Sequence, residues 1–340
     1  MRNIANAQLV VSDAINLIHG KNGSGKTTIL EALYMIARGR SFRGARAAPV
    51  IKSGEKELHL FSEFHAGEIT HKIGIRKTTS ETEIRLDGQN IKRLSQVAAA
   101  IPLQIITPQT YQILDRGPEF RRKFIEWGVF HVEHLYSELL RRYLRALSQR
   151  NAALKTNQVM ARAWDKELTE LGEQINSRRV AYLNLLTTYF EEELIALLGD
   201  LQLQVNWKRG WQEDISFAEA LEQSFQKDCE KRYTTYGPHR ADLEFKVDNI
   251  PISQFASRGQ QKLVITALSL AQMRVTIQQT GKKPVMLIDD LAAELDRDNR
   301  TIVFDRLREM GSQVFLTTTD ADLLEGQADK MFHVEHGAVL

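Results

Sequence analysis

The stretch Gly20-Lys21-Asn22-Gly23-Ser24-Gly25-Lys26-Thr27-Thr28 decides the fold of this chain. It matches the phosphate-loop pattern, in which a glycine-rich loop ends in lysine followed by serine or threonine. The apolar run Ile15-Asn16-Leu17-Ile18 predicts a buried strand before the loop, and Thr28 to Ala37 predicts a helix that stops at Gly39. A strand, a glycine loop and a helix N-terminus together predict that the chain binds a nucleoside triphosphate.

The residues of this loop have distinct predicted roles. The glycines let backbone N–H groups of residues 20–28 turn towards phosphate oxygens. Lys26 would contact the β- and γ-phosphates, and the Thr27 hydroxyl would bind Mg²⁺. The alternative is an ordinary glycine-rich turn, which the Lys26-Thr27 pair and both flanking segments disfavour. We therefore expect ATP and Mg²⁺ as cofactors.

The composition limits the class of protein. The chain has 340 residues, which suggests two lobes, and 43% of them are hydrophobic, enough for a buried core. The sequence has no apolar run of membrane length and no signal peptide ahead of the loop, so we expect a soluble protein with no membrane partner. The single cysteine, Cys229, indicates a reduced, cytoplasmic thiol. With a net charge of +2, any nucleic-acid affinity must come from local basic patches.

The spacing of apolar residues divides the chain into parts. Strand-like segments dominate up to residue 107, and Asp87-Gly88 is typical of a hairpin turn. After Pro118 a helical spacing predicts an insertion over about 116–200, with a heptad-like stripe that Arg178 interrupts, followed by a strand at 201–205. We therefore predict an α/β fold: a phosphate-loop ATPase head formed by residues 1–115 and 276–340, with a largely helical lobe over 116–275.

The pentapeptide Phe-His-Val-Glu-His occurs twice, at 130–134 and at 332–336. Clustered histidine and glutamate side chains can bind metal ions. In the second copy, however, the strand period places Val334 on one face and His333 with Glu335 on the other, so the polar groups do not all converge. We predict no zinc site at either copy.

A second buried strand, Val285-Met286-Leu287-Ile288, is followed by two carboxylates. A phosphate loop requires a carboxylate that holds Mg²⁺ and a group that orients the attacking water. We assign the first role to Asp289 and the second to Asp290. An Asp-Asp pair that stands alone after a strand is commonly a solvated turn, but together with a phosphate loop it predicts an ATPase site.

Two further motifs narrow the class of ATPase. Ser257-Arg258-Gly259-Gln260 precedes a long predicted helix, and Leu291-Ala292-Ala293-Glu294-Leu295-Asp296 follows the carboxylates. This order resembles ATP-binding-cassette ATPases, in which the signature of one subunit contacts the γ-phosphate held by another. The resemblance implies that Ser257, Arg258, Gly259 and Gln260 act in trans. The alternative for Ser257 is a simple helix N-cap.

Dispersed motifs resemble the RecF family of bacterial recombination mediators nearly from end to end. They are Gly39–Arg43, Ile106–Pro108, Gly117-Pro118 with Arg121-Arg122, Arg150–Leu154, Gly237–His239 with Ala241-Asp242, and Ser257–Gln260. The resemblance implies an ATP-dependent homodimer that binds duplex DNA near single-strand gaps and works with RecR and RecO to load RecA. It also implies slow ATP hydrolysis as a conformational switch, and roles in DNA damage, replication, recombination and the SOS response.

The sequence departs from that family pattern in three places. Family members usually begin with a strand that leads into Phe-Arg-Asn, whereas this sequence starts at Met1-Arg2-Asn3, so we expect an incomplete sheet edge beside the adenine-side residues Arg2 and Asn3. Gln109 follows Pro108 where the family commonly has glutamate, and it would act as the magnesium-sensing glutamine of cassette ATPases. The histidine that transporter cassettes place after the last core strand is absent, and Thr318-Thr319-Asp320 stands there instead, so we assign the γ-phosphate sensing role to this segment.

Basic clusters are candidates for contact with DNA phosphates, which give affinity without base readout. The predicted contacts are Arg121, Arg122, Arg141, Arg145 and Arg150. A solvated, ion-paired helix face is the alternative, because Glu138 lies four residues before Arg142. Three other functions share the core motifs: the nucleotide-binding subunit of a membrane transporter, a structural chromosome protein with long arms, and a small-molecule kinase.

Overall fold

The structure is a computed structural model that describes residues 1–44, 50–91, 94–199, 201–290, 295–322 and 326–340. The chain divides into two compact units, which we call the head unit and the helical unit. The head unit comprises Met1–Tyr111 and Thr276–Leu340, and the helical unit comprises Gln112–Val275. The sequence placed these boundaries after residues 115 and 275.

The head unit is built mainly of strands and the helical unit mainly of helices. In chain order the elements are β1 (Ile15–His19), α1 (Lys26–Arg38), β2 (Leu58–Ala66), β3 (Ile69–Lys77), β4 (Thr82–Leu86), β5 (Gln89–Asn90), α2 (Leu94–Ala100), β6 (Leu103–Ile106), α3 (Pro118–Val132), α4 (Tyr136–Thr156), α5 (Gln158–Ala161), α6 (Asp165–Leu198), β7 (Gln204–Lys208), α7 (Phe217–Lys231), β8 (Asp242–Val247), β9 (Ile250–Pro251), α8 (Ile252–Phe255), α9 (Arg258–Thr280), β10 (Val285–Ile288), α10 (Arg297–Glu309), β11 (Val314–Thr318), β12 (Lys330–Glu335) and β13 (Ala338–Val339).

The main sheet of the head unit has the strand order β13-β12-β1-β11-β10-β6. Its central strands pair in parallel, and β13 runs antiparallel to β12. Leu17, Leu287 and Leu316 are buried, as expected for parallel strands covered on both faces. Because the carboxyl ends of parallel strands meet at one edge, the segments that follow β1, β6, β10 and β11 lie together there.

A second, antiparallel sheet in the head unit has the order β2-β3-β4-β5, with β2 at one edge. Asp87 and Gly88 connect β4 to β5 with φ of 51° and 79°. These left-handed angles suit an Asp-Gly turn, so the predicted hairpin is confirmed. Helix α1 ends as predicted at Gly39, whose φ of 65° and N–H bond to the Met35 carbonyl form a left-handed cap.

The helical unit differs from its sequence prediction in one detail. The strand expected at 201–205 lies at Gln204–Lys208, because it pairs with β8 in a register that sets Lys208 against Asp242. Helix α6 runs for 34 residues through Arg178, and the next residue, Arg179, is buried and hydrogen-bonded. No helix in the described parts of the chain is long and apolar enough to cross a membrane.

Candidate nucleotide site

The phosphate loop joins the carboxyl end of β1 to the first residue of α1. Gly20 has a φ of 149°, and a Cβ at this position would lie 2.2 Å from the Val334 carbonyl oxygen, so only glycine fits. Lys26 Nζ donates to the carbonyl oxygens of Gly20 at 2.6 Å and Lys21 at 3.0 Å. Burial lowers the pKa of Lys26, and the nearby carboxylates of Asp290 and Asp289 oppose that shift. The loop therefore holds a buried ammonium group against backbone carbonyls.

The predicted carboxylates meet this loop at the end of β10. Asp289 Oδ1 accepts hydrogen bonds from the hydroxyls of Thr27 at 3.1 Å and Thr317 at 2.7 Å. The backbone N–H of Asp290 donates to Thr317 Oγ1 at 3.0 Å, and Asp290 has a φ of 62°. The Thr317 hydroxyl, which has no role predicted from the sequence, thus joins Asp289 to the backbone of Asp290, and Thr27 bonds Asp289 directly. A threonine at the end of the strand next to β10 was the available signal.

Two buried oxygens at this site have no hydrogen-bond partner among the described residues: Ser24 Oγ in the loop and Asp290 Oδ1. A buried polar atom without a partner is costly in a folded protein unless a ligand or water satisfies it. Thr27 and Asp289 supply the oxygen ligands that Mg²⁺ prefers, and Lys26 with the loop N–H groups suits phosphate. The residues present therefore fit a magnesium–nucleotide complex.

Arg2 and Asn3 contact the phosphate loop and the first turns of α1. Asn3 Nδ2 donates to the Ser24 carbonyl oxygen at 2.9 Å, and Thr28 Oγ1 donates to Asn3 Oδ1 at 3.3 Å. Arg2 forms an ion pair with the fully buried Glu31, with Nη2 and Oε1 2.7 Å apart. Burial alone would raise the pKa of Glu31, but the bonds from Arg2 and Ser41 hold it below its ordinary value. The structure gives both residues a bracing role beside the loop.

Gln109 is exposed three residues beyond β6. Gln109 lies in a turn that is closed by a hydrogen bond from the Thr107 N–H to Thr110 Oγ1 at 3.1 Å. Ile106 pairs with Ile288, so this turn starts beside the strand that ends in the carboxylates. Gln109 makes no hydrogen bond to either carboxylate, as far as the described residues extend.

The signature residues begin α9 in the helical unit. Gln260 N–H donates to Ser257 Oγ at 3.2 Å, and Ser257 N–H donates to Gln260 Oε1 at 2.9 Å, which is a reciprocal capping box. The N-cap alternative is therefore realised. Ser257, Arg258, Gly259 and Gln260 are nonetheless all exposed. Of the motif that follows the carboxylates, Leu291–Glu294 lie outside the described residues, and Asp296 caps α10 through the Asn299 N–H at 2.9 Å.

The prediction that Arg150 contacts DNA is wrong. Its side chain has an exposed fraction of 0%, and it donates to Asp165 and Asp228 at 2.7 Å each and to Thr234 at 2.8 Å. Asp228 is equally buried and also accepts from the N–H of Thr235 at 2.9 Å. A guanidinium enclosed by carboxylates in the interior cannot reach a DNA phosphate.

The other four arginines fall into two pairs. Arg121 forms a bidentate ion pair with Asp242, at 2.7 and 2.9 Å, and Arg122 donates to the Ala241 carbonyl oxygen at 2.6 Å. Arg141 and Arg145 are exposed on α4 and have no ion pair or hydrogen bond to any other described residue. Only the second pair has its full charge available to a partner.

The segment 234–242 of the helical unit also contacts Tyr143 of α4. Its hydroxyl lies 2.7 Å from Nδ1 of His239, whose Nε2 lies 3.1 Å from the Thr234 carbonyl oxygen. Because that carbonyl only accepts, Nε2 carries the proton and Nδ1 accepts from Tyr143. Burial lowers the pKa of His239 to about 4. Arg121 and Arg150, which belong to separate family motifs, and Tyr143 thus all contact the segment 234–242.

The parallel sheet, the phosphate loop and the carboxylates at its edge define an ATPase head of the ABC/SMC class. A family model described as RecF/RecN/SMC N terminal domain matches residues 1–338. The DNA replication and repair protein RecF of Shewanella woodyi is 40% identical over 346 residues, which cover 99% of this chain and 94% of that protein. The RecF protein of Shewanella halifaxensis is 41% identical over 350 residues, covering 99% and 94%. The chain belongs to the RecF family.

Solved structures agree with this family. The recombination mediator protein RecF in complex with ATP, described as part of the RecFOR pathway, superimposes with a TM-score of 0.89 at 25% identity, covering all of this chain (100%) and 94% of that one. The Smc head domain of Pyrococcus furiosus gives a TM-score of 0.59 at 16% identity, covering 99% and 92%, and shows the fold alone. The predicted fold class and the resemblance to RecF are both confirmed.

Proposed function

We propose that this protein is an ATP-dependent DNA-binding protein of recombinational repair and replication restart. One observation carries the proposal: Thr27, Asp289 and Asp290 converge on the phosphate loop, where two buried oxygens lack partners. Membership of a family whose relatives are named DNA replication and repair proteins supports the DNA-directed part. It also favours this function over that of a transporter subunit.

In this proposal the site binds ATP and hydrolyses it slowly. Lys26 exchanges its two carbonyl partners for the β- and γ-phosphates, and Thr27 with Asp289 holds Mg²⁺. When bound, Mg²⁺ neutralises charge on the phosphates. Asp290 accepts a hydrogen bond from the attacking water and so orients it towards the γ-phosphate. Hydrolysis then serves as a timer that resets the protein.

The second element of the proposal is a head-to-tail homodimer that forms when ATP is bound. Each site would be completed by Ser257–Gln260 of the partner subunit. The exposure of these residues at the N-terminus of α9 supports this role, because helix N-termini favour negatively charged groups. Gln109, exposed at the end of β6, would sense the magnesium ion.

Duplex DNA near single-strand gaps is the proposed partner of this dimer, with RecR, RecO and RecA as protein partners. Arg141 and Arg145 are the proposed phosphate contacts on α4, because both are exposed and unpaired among the described residues. Arg121 and Arg122 would contribute less, since Asp242 and the Ala241 carbonyl already engage them.

Hydrolysis measured with and without gapped duplex DNA tests the proposal. We expect DNA to stimulate release of phosphate from ATP, and Lys26→Ala to abolish it. Lys56→Ala, which removes an exposed lysine remote in sequence from the loop, is the matched control and should behave as the parent protein. An ATPase rate that is the same with and without DNA would argue against DNA as the partner. An unchanged ATPase rate in Lys26→Ala would argue against the phosphate loop as the nucleotide site.

A further inference from the structure

Two histidines form a contact next to the phosphate loop that the nucleotide site does not use. His19 is the last residue of β1, and His333 is its register partner on the neighbouring parallel strand β12. Their ring centroids lie 4.8 Å apart with an interplanar angle of 50°, and the two Nδ1 atoms are 3.3 Å apart. Two ring nitrogens therefore face each other across adjacent strands.

This separation suits two ligands of one metal ion. With metal–nitrogen distances of about 2.0–2.1 Å, two ligands of a tetrahedral zinc ion lie about 3.3–3.4 Å apart. The other ring nitrogen of His333, Nε2, lies 3.9 Å from a carboxylate oxygen of Glu335. A carboxylate near the free nitrogen is a common partner of metal-binding histidines, because it fixes the tautomer and orients the ring.

The two rings differ in exposure. His19 is half-buried at the end of β1. His333 is reachable from solvent, with 41% of its side chain exposed.

We propose that His19 and His333 form a binding site for a divalent transition metal ion of the zinc type, with water completing its coordination. No group of three or more His, Cys, Asp and Glu side chains suited to a metal exists among the described residues, so this site has two protein ligands and binds less tightly than a structural zinc site. The polar side chains of the pentapeptide 332–336 do not converge within their own strand, whereas this pair joins His333 to a neighbouring strand.

A metal ion at this position would link β12 to the strand that enters the phosphate loop. The β12–β13 turn already contacts that loop, because the Gly337 N–H donates to the Ser24 carbonyl oxygen at 2.9 Å. A ligand that binds only the folded state stabilises it. Zinc should therefore raise the melting temperature, because it would link the strand before the phosphate loop to the β12–β13 hairpin.

Zinc titration in the absence of nucleotide, which itself chelates metal, tests the proposal. We expect His333→Ala to lose one bound equivalent relative to the parent protein, together with the zinc-induced rise in melting temperature. His336→Ala, an exposed histidine in the adjacent turn, is the matched control and should retain both. The difference between variants matters because His59, His65 and His71 can bind zinc elsewhere on the surface.

A second variant keeps the test decisive. His19→Asn should remove the same equivalent, and Glu335→Gln should weaken it about tenfold, as loss of such a supporting carboxylate typically does. Identical zinc stoichiometry in the parent protein, His333→Ala and His19→Asn would overturn the proposal and leave the pair as a hydrogen bond between two imidazoles.

Discussion

The phosphate loop of the head unit and the interior of the helical unit place their buried charges in opposite ways. In the described residues of the helical unit each buried guanidinium faces a carboxylate, as Arg150 faces Asp228 and Arg179 faces Glu126. In the head unit Lys26 bonds only backbone carbonyls, and no described ion pair joins it to Asp289 or Asp290. Charges that are already paired hold a fold together, whereas charges left unpaired are available to a ligand of opposite sign.

This difference corrects the sequence-based interpretation of the arginines. The motifs that resemble the RecF family contain basic residues in both units, and charge alone does not separate structural from ligand-binding roles. In the helical unit the arginines hold the segment 234–242 against α3 and α4. Pairing of charge is therefore the criterion that the following variants test.

Removing a paired, buried charge should have the largest effect. Arg150→Met leaves Asp228 buried without its cation, and breaking such a pair typically costs about 3–5 kcal/mol of unfolding free energy. Urea unfolding measures this loss. Arg145→Met removes an exposed, unpaired arginine from the same helix and should change stability by less than about 0.5 kcal/mol. Equal stabilities of the two variants would contradict the structural role of Arg150.

The pH dependence of stability tests the same network. His239 has a pKa of about 4 in the folded protein, below its ordinary value of 6.5. Between these two pH values the unfolded chain therefore binds a proton at His239 and the folded protein does not. The contribution of His239 to the free energy of unfolding is complete above pH 6.5 and is lost as the pH falls towards 4. The loss amounts to at most about 3 kcal/mol. Urea unfolding at pH 7.5 and pH 4.5 should show this loss, and His239→Gln should show a correspondingly smaller one. The same pH dependence in both proteins would rule out His239 as its source.

Removing the unpaired charge of the head unit should affect binding and spare the fold. Lys26→Ala should weaken ATP binding by roughly 1.5–3 kcal/mol, the range for hydrogen bonds to a charged group. Titration with a fluorescent ATP analogue measures the affinity, with Lys56→Ala as the control. A large loss of unfolding free energy with little loss of affinity would make Lys26 a structural residue and end the contrast between the units.

Substitutions of Ser257, an N-cap with a proposed second role in the partner's site, should give the smallest change in stability. Ser257→Asp retains a good N-cap, so we expect the unfolding free energy to change by less than about 0.5 kcal/mol, whereas Ser257→Ala should lose about 1 kcal/mol. The carboxylate of Ser257→Asp would repel a phosphate of the partner subunit, so hydrolysis should fall while ATP binding by the monomer persists. Normal hydrolysis by Ser257→Asp would reduce Ser257 to a cap.

The sequence predicted what depends on local pattern. The phosphate loop, the carboxylates after β10, the Asp87-Gly88 hairpin and the end of α1 at Gly39 all follow from neighbouring residues. The roles of Thr317 and Arg150 and the pairing of His19 with His333 depend on strands and helices distant in sequence. Register and packing decide those partners, and no periodicity within one segment encodes them.

The proposed function requires ATP to strengthen DNA binding, and the DNA affinity of a variant that cannot hydrolyse ATP measures this coupling. Asp290→Asn should bind MgATP and remain in the ATP-bound state. Anisotropy of a labelled gapped duplex should then show tighter binding with MgATP than with MgADP, and sedimentation should show a dimer only with MgATP. A DNA affinity that is the same with MgATP and with MgADP would contradict the proposed coupling of ATP binding to DNA binding.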